Sequence, residues 1–546
     1  MSRSAHLDTF ARNGLPPVAE QPEFLFNLPA LRFPDRLNCA TALLDRWITA
    51  GEGGRSSVRS REATWTYRDL QVRANQIAHL LVDDMGLVPG NRVLLRGGNS
   101  PELAACWLAV VKAGGIVVSS MPLLRARELT DIIAKAQISH ALSDARLADE
   151  LVAAQRLCPT LTQVQYYGND STDSLDSRVA GKPEEFANVD TAADDVCLIA
   201  FTSGSTGQPK ATLHFHRDLM AACACWPPHI LEANSDDVFI GSPPLAFTFG
   251  LGGLLLFPLS IGAATVLIEK VTPDSLLAAI DDFRATICVT APTSYRAMAA
   301  GANQRDLRSL RKCVSAGEAL PAATRQLWKD ATGLELIDGI GTTELLHIFL
   351  SHRDSDVKPG ATGKPVPGYT VCVLDDNLRP APAGTVGMLA VKGPTGCRYL
   401  ADQRQRDYVK DGWNITGDAY VVDEDGWFIY QARMDDMIVS SGYNIAGPEV
   451  ESALLLHPAV AECGVIGVPD EQRGQIVKAF VVIRPHVQAG PALVDELQRF
   501  VKETIAPYKY PRAIEFREAL PRTETGKLQR YRLRADALGT AAGVKG

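Results

Sequence analysis

Apolar side chains recur along this chain in two alternating rhythms. They fall at Leu70, Ala74, Ile77, Ala78 and Leu81, the three- and four-residue spacing of one buried helical face. Thr66, with Asp69 three positions on, supplies a capping box where that helix begins. The short apolar run 92–96 predicts a strand, and Pro101, tolerated in a first helical turn, opens a helix carrying Leu103, Ala104, Trp107, Leu108 and Val111. Residues 116–120 predict the next strand. Short apolar strands separated by helical lengths imply right-handed crossovers and a parallel sheet covered on both faces.

The same rhythm returns between residues 237 and 341, with strands predicted at 238–241, 265–268, 286–290, 313–316 and 336–340. Two such α/β units predict a large N-terminal domain built on two doubly wound sheets. From about residue 363 to 430 the texture changes to brief strands and turn pairs, Asp376-Asn377 and Asp425-Gly426 among them, which predicts a small β-rich subdomain. Residues 14–36 are Pro-rich without periodicity and are expected to wrap the surface. A small α+β segment closes the chain, so the expected domains are 1–434 and 435–546.

Composition narrows the class. A chain of 546 residues is too long for one compact core and suits two to four domains. With 46% apolar and 22% charged residues, disorder is excluded. A net charge of −8 argues against nucleic-acid and acidic-membrane partners. Eleven scattered cysteines suit a reducing compartment rather than a disulfide framework. Residues 240–268 carry no charge and are long enough to cross a bilayer. They contain Pro243, Pro244 and Pro258, however, and their best apolar run, 251–259, is too short. A buried helix followed by a buried strand, in a soluble cytoplasmic protein, is the expectation.

The most informative stretch is Thr202-Ser203-Gly204-Ser205-Thr206-Gly207-Gln208-Pro209-Lys210, between an apolar strand at 196–201 and a second β-like run at 211–216. Its hydroxyls and glycines can surround phosphate oxygens with O–H and backbone N–H donors, and Lys210 adds positive charge. A Walker A loop requires its lysine to enter a helix, whereas Lys210 follows Pro209 and precedes Ala211. A flexible surface hairpin would account for the glycines and serines but not for the accompanying Thr, Pro and Lys.

This stretch resembles the phosphate-loop signature of the adenylate-forming superfamily of acyl-CoA synthetases, carrier-protein adenylation domains and firefly-type luciferases. Four further motifs agree in order and spacing: Ser315-Ala316-Gly317-Glu318, then Asp338-Gly339-Ile340-Gly341-Thr342-Thr343-Glu344, Thr416-Gly417-Asp418 and Pro521-Arg522-Thr523-Glu524-Thr525-Gly526-Lys527. The resemblance spans residues 40–540 and implies ATP, Mg²⁺ and coenzyme A as co-substrates and cofactors. It implies that a carboxylate attacks the α-phosphate of ATP to give an acyl-adenylate and pyrophosphate. Two anions must meet, so positive charge and oriented donors carry the step.

By the same resemblance, Glu344 is the Mg²⁺ carboxylate, since one carboxylate plus substrate phosphates is the usual way that ion is held. Thr343 donates to the α-phosphate, Asp418 accepts the ribose hydroxyls, and Arg433 contacts the ribose. Gly317, Glu318, Asp338, Gly339 and Ile340 enclose adenine. Lys527 bridges acyl oxygen and phosphate. Asp435 is the hinge on which a mobile C-terminal domain replaces the Lys527 loop with the Ser440-Ser441-Gly442 face for thioester formation. Ala432 and Val439 depart from the family pattern, which often has Gly and Lys there.

For the acid, Ala246-Phe247-Thr248-Phe249-Gly250 and the run from Gly339 through Gly341 and His347 to Ser351 resemble benzoate-CoA ligases. Residues 15–44 are similar to 2-aminobenzoate-CoA ligases in particular. The resemblance implies an aryl-CoA ligase for a small aromatic acid, with Ala316 beside the pocket, Phe247 and Ile340 sandwiching the ring, and Thr248 or His347 reaching an ortho amino group. The alternatives are an enzyme that loads a carrier protein, a medium-chain acyl-CoA ligase, and a nucleotide sensor without turnover. A homodimer is left open. His214 and His216 are expected to alternate on one strand face with no third metal ligand, and Cys223 and Cys225 to pack within a helix.

Overall fold

The computed structural model describes residues 3–202, 209–440, 443–522 and 528–539. Thr66 caps the helix Tyr67–His79 by accepting the Asp69 amide, while the Asp69 carboxylate accepts the Thr66 amide. The face from Leu70 to Leu81 is wholly buried. That helix packs on Pro101–Lys112, whose first turn is capped by Ser100 Oγ on the Leu103 amide. Lys112, at its end, is almost fully buried and is neutralised by Asp45 at 2.6 Å.

The six-stranded sheet runs, edge to edge, Gln163–Tyr167, His140–Asp144, Arg92–Arg96, Ile116–Ser120, Val196–Thr202 and Lys210–Phe215. All its pairings are parallel except the last. The second sheet has nine strands. Its parallel centre is Leu336–Gly341, Lys312–Ala316, Ile287–Thr290, Val238–Gly241, Ala264–Val266 and Ser56–Arg59. Antiparallel edges unforeseen from the sequence extend it: Ile348–Ser351 and Lys364–Pro365 on one side, Thr64–Thr66 on the other. One apolar cluster, containing Val93, Val117, Phe239, Val289 and Ile337, fills the space between the sheets.

The uncharged stretch folds as a strand, a buried helical segment from Thr248 to Ile261, and a strand again. No helix among the described residues is long and apolar enough to cross a membrane. Gly252 is obligatory there, because a Cβ would lie 2.4 Å from the His347 ring. A five-stranded sheet follows, from Thr370–Leu374 to Phe428–Arg433. The closing segment forms a separate sheet around the long hairpin Val460–Asp470 and Gly474–Ile483 with its own apolar cluster. The protein is thus a mixed α/β fold with a large N-terminal part and a small C-terminal one.

The expectation that His214 and His216 share a strand face fails. The strand ends at Phe215 and His216 opens the helix His216–Trp226, which carries Cys223 and Cys225 as buried packing residues. The Pro-rich segment lies over the surface in short turns, and it also drives Leu31 into the core and pairs Phe24 with Gly393.

Candidate active site

Ligands of open α/β sheets bind at the carboxyl ends of parallel strands, and most of the candidate residues gather there. Val196–Thr202 and Lys210–Phe215 form a hairpin in which Thr202 and Lys210 are register partners. Ser203, Gly204, Ser205, Thr206 and Gly207 between them lie outside the described residues, as do Gly442 and Lys527. Lys210 Nζ stands 3.4 Å from the Tyr399 hydroxyl and 5.1 Å above its ring centroid. Tyr399 in turn donates to Glu344 Oε1 at 2.5 Å. Burial, the Glu344 carboxylate and nearby Cys397 and Tyr408 all push the Tyr399 hydroxyl far up, so it remains a neutral donor. A lysine, a phenol and a buried carboxylate therefore form one line.

The turn bearing Glu344 is tied down from several sides. His214 Nε2 is 2.8 Å from the Thr343 carbonyl, and burial above all keeps this imidazole neutral, lowering it to about 4. Thr342 Oγ1 meets the Tyr408 hydroxyl at 3.1 Å and accepts the Leu345 amide. Thr395 donates to the Leu345 carbonyl at 2.8 Å. Leu346 is held at φ 70°, a left-handed conformation that branched side chains avoid. These ties over-determine the turn and fix where Glu344 and His347 point.

On the nucleotide side, Ala316 and Gly339 are register partners at adjacent strand ends, with Gly317, Glu318, Ile340 and Gly341 just beyond. Glu318 lies 3.5 Å from Arg522 of the C-terminal segment, five positions before Lys527 in the chain. The Asp338 carboxyl is pushed up to about 7, mainly by burial, with Arg325 and the Gly339 amide opposing. Asp418 is almost buried, and Arg433, its partner across the strands, donates to Oδ1 at 3.0 Å and to the Thr416 carbonyl at 3.1 Å. Gly417 makes room for this guanidinium: it sits at φ 77°, and a Cβ would lie 2.9 Å from Arg433 Nη2. Asp435 belongs to the short turn Met434–Asp436 that leaves this strand.

Among the residues expected to hold the acid, His347 and Phe249 belong to an aromatic cage. The His347 ring centroid is 4.5 Å from Phe257, 5.4 Å from Trp226 and 5.7 Å from Phe249. His347 is 4% exposed, and neither ring nitrogen makes a hydrogen bond of ordinary geometry. Burial lowers its pKa to about 3, with the Phe249 backbone acting the other way. Gly250 lets the segment bend onto Pro244, whose carbonyl a Cβ would strike at 2.1 Å. Phe247 caps the helix Thr248–Leu251 and, like Thr248 and Ile340, is half-buried. It has no ring partner in the cage, which is built with Phe249 instead.

Trp226, Phe257, Tyr399 and Tyr408 were not singled out in the sequence, and Arg522 entered only as part of the motif that ends at Lys527. Nothing local to Tyr399 reports its distant carboxylate.

Comparison with known proteins follows this geometry. The AMP-binding enzyme family matches residues 44–399, and the AMP-binding enzyme C-terminal domain matches residues 449–527. A benzoate–CoA ligase of Thauera aromatica is 36% identical over 514 residues, covering 93% of this chain and 97% of that protein. A mitochondrial acyl-coenzyme A synthetase of Mus musculus is 30% identical over 532 residues, covering 92% and 91%. Among solved structures, an anthranilate CoA ligase in complex with anthranoyl-AMP superposes with a TM-score of 0.90 at 34% identity, covering 94% of this chain and all of that one.

Proposed function

The chain belongs to the AMP-binding enzyme family and is an AMP-forming acid–CoA ligase, and from that premise we propose that its acid is a small aromatic carboxylate, 2-aminobenzoate or benzoate. The observation carrying this reading is the cage around His347. The His347 nitrogens make no hydrogen bond of ordinary geometry inside an aromatic enclosure, and a buried polar group in that state costs free energy unless a partner is supplied. A flat ring with an ortho amino group meets that need, and a flexible alkyl chain does not. The benzoate and anthranilate ligases among its relatives support the same choice.

In the proposed reaction the aryl carboxylate attacks the α-phosphorus of ATP and pyrophosphate leaves, giving an aryl-adenylate. The CoA thiol then attacks the acyl carbon, AMP leaves, and the thiol proton passes to solvent. Asp418 receives the ribose hydroxyls and is oriented by Arg433, while Gly317, Glu318, Asp338 and Gly339 border adenine. Thr202, the 203–207 loop and Lys210 surround the phosphates, and Thr343 donates to the α-phosphate. Glu344 fits Mg²⁺, because Tyr399 occupies one oxygen and leaves the other for the ion. When bound, the ion neutralises phosphate charge. Lys527 provides the moving positive charge, and residues 435–546 pivot at Asp435 between the two half-reactions. Eleven free cysteines support a reducing, cytoplasmic setting.

The test is pyrophosphate release across benzoate, 2-aminobenzoate and octanoate, followed by thioester formation with free CoA or a holo carrier protein. The aryl acids and free CoA are the expected choice. A higher kcat/KM for octanoate would contradict the aryl assignment, and exclusive use of the carrier would contradict the CoA acceptor.

A further inference from the structure

One cluster of soft ligands lies outside the site. Cys39, Cys197 and His216 each offer a ligand atom, and the three atoms lie within 4.8 Å of one another. Cys39 and Cys197 are fully buried and His216 is 1% exposed. His216 Nδ1 is 3.3 Å from Cys39 Sγ and 3.2 Å from its amide nitrogen. The remaining ring nitrogen, Nε2, has no hydrogen-bond partner and is buried. The second and third ligands come from distant parts of the chain, so the spacing around His214 and His216 could not announce them.

The geometry points to a binding site for Cu(I), held by the two sulfurs and one imidazole nitrogen. Thiolates select thiophilic d¹⁰ ions. Structural Zn²⁺ is almost always four-coordinate, and the cluster among the described residues offers three ligands, a number that suits Cu(I). Binding releases the thiol protons to solvent and involves no change of oxidation state.

The position suggests what the ion would do. Cys197 lies near the start of the strand that ends at Thr202, and His216 opens the helix that ends at Trp226. An ion here clamps the roots of the phosphate-loop strand and of a helix forming one wall of the cage. It touches neither nucleotide nor acid, so its role is structural.

The experiment supplies Cu(I) anaerobically, as its bicinchoninate complex, to the reduced full-length protein and follows loss of the complex's colour. One ion per chain is expected to transfer and survive desalting, and the unfolding temperature should rise with Cu(I) concentration, as it does for any ligand selective for the native state. Cys39→Ser and Cys197→Ser should fail to compete with bicinchoninate, while Cys372→Ser, outside the cluster, behaves as wild type. X-ray absorption on the wild type, which needs no variant to fold, should give two sulfurs and one nitrogen around copper. Failure to retain Cu(I), retention undiminished by both cysteine substitutions, a sulfur-only shell, or preference for Zn²⁺ over Cu(I) would each overturn the proposal.

Discussion

Glu344 and His347 stand three positions apart on one turn, and the fold treats them oppositely. The Glu344 carboxylate receives a short hydrogen bond from Tyr399, itself within reach of Lys210. The His347 imidazole is as deeply buried but makes no hydrogen bond of ordinary geometry at either nitrogen. Under the proposed function the carboxylate is needed in one fixed orientation for every turnover, and its support is already built, which is the preorganisation that electrostatic catalysis relies on. The imidazole is left incomplete, and a site whose polar atoms await a partner rejects ligands unable to supply it. In the proposed reaction one half of the turn thus serves chemistry and the other choice.

The largest expected effect probes the chemical half. Lys527→Ala removes the positive charge that meets two approaching anions, and aryl-adenylate formation should fall by about 10²–10³. Thioester formation from preformed aryl-adenylate and CoA should be largely spared, because the pivot at Asp435 has by then carried the loop away. Equal losses in both half-reactions would break the division between them.

Asp418→Ala deletes the proposed acceptor of the ribose hydroxyls and takes one acceptor from Arg433. The apparent KM for ATP should rise by about tenfold or more, the scale of one lost charge-assisted hydrogen bond, with KM for the aryl acid little changed. A smaller effect is expected of Tyr399→Phe, which loosens Glu344 without removing it. The Mg²⁺ concentration for half-maximal pyrophosphate release should rise by several-fold, up to about tenfold, and direct Mn²⁺ titration should weaken in parallel. An unchanged Mg²⁺ requirement would show that Tyr399 merely fills space.

The smallest effect is on stability. His347 titrates at about 3 in the fold against 6.5 when free, so between these values the unfolded chain binds a proton that the native state refuses. Stability therefore falls as pH falls through that window. His347→Leu should flatten the acid limb by about one proton, read from urea midpoints at neutral pH and near pH 5. Identical acid limbs would mean that the ring is solvated or partnered after all.

How much of this was legible beforehand depended on sequence distance. The Thr66–Asp69 cap, the helical face of Leu70 to Leu81 and the parallel strands are local patterns, and they appear where the periodicity puts them. Glu344 and Asp418 were singled out for the same reason, each embedded in a short motif. Tyr399 was not, because its partners Glu344 and Lys210 lie 55 and 189 positions away, and no local spacing records such a meeting. Trp226 and Phe257 drew no notice, because nothing local to them records that the turn at Leu346 brings His347 against both. The antiparallel edge Ile348–Ser351 was missed because its apolar run read as pocket lining. His214 and His216 misled in the opposite direction. Their alternation suggested one face, but the strand stops between them, which sends one imidazole to the Thr343 carbonyl and the other to Cys39.

The central claim is that His347 is an unfilled partner for the acid's own polar group. The most direct measurement is the ratio of kcat/KM for 2-aminobenzoate to that for benzoate, in the wild type and in His347→Leu. Loss of one hydrogen bond to the ortho amino group should lower that ratio by up to about tenfold, with benzoate turnover largely retained because the cage stays apolar and nearly full. A ratio unchanged by the substitution would contradict the claim and leave His347 as a wall of the pocket and nothing more.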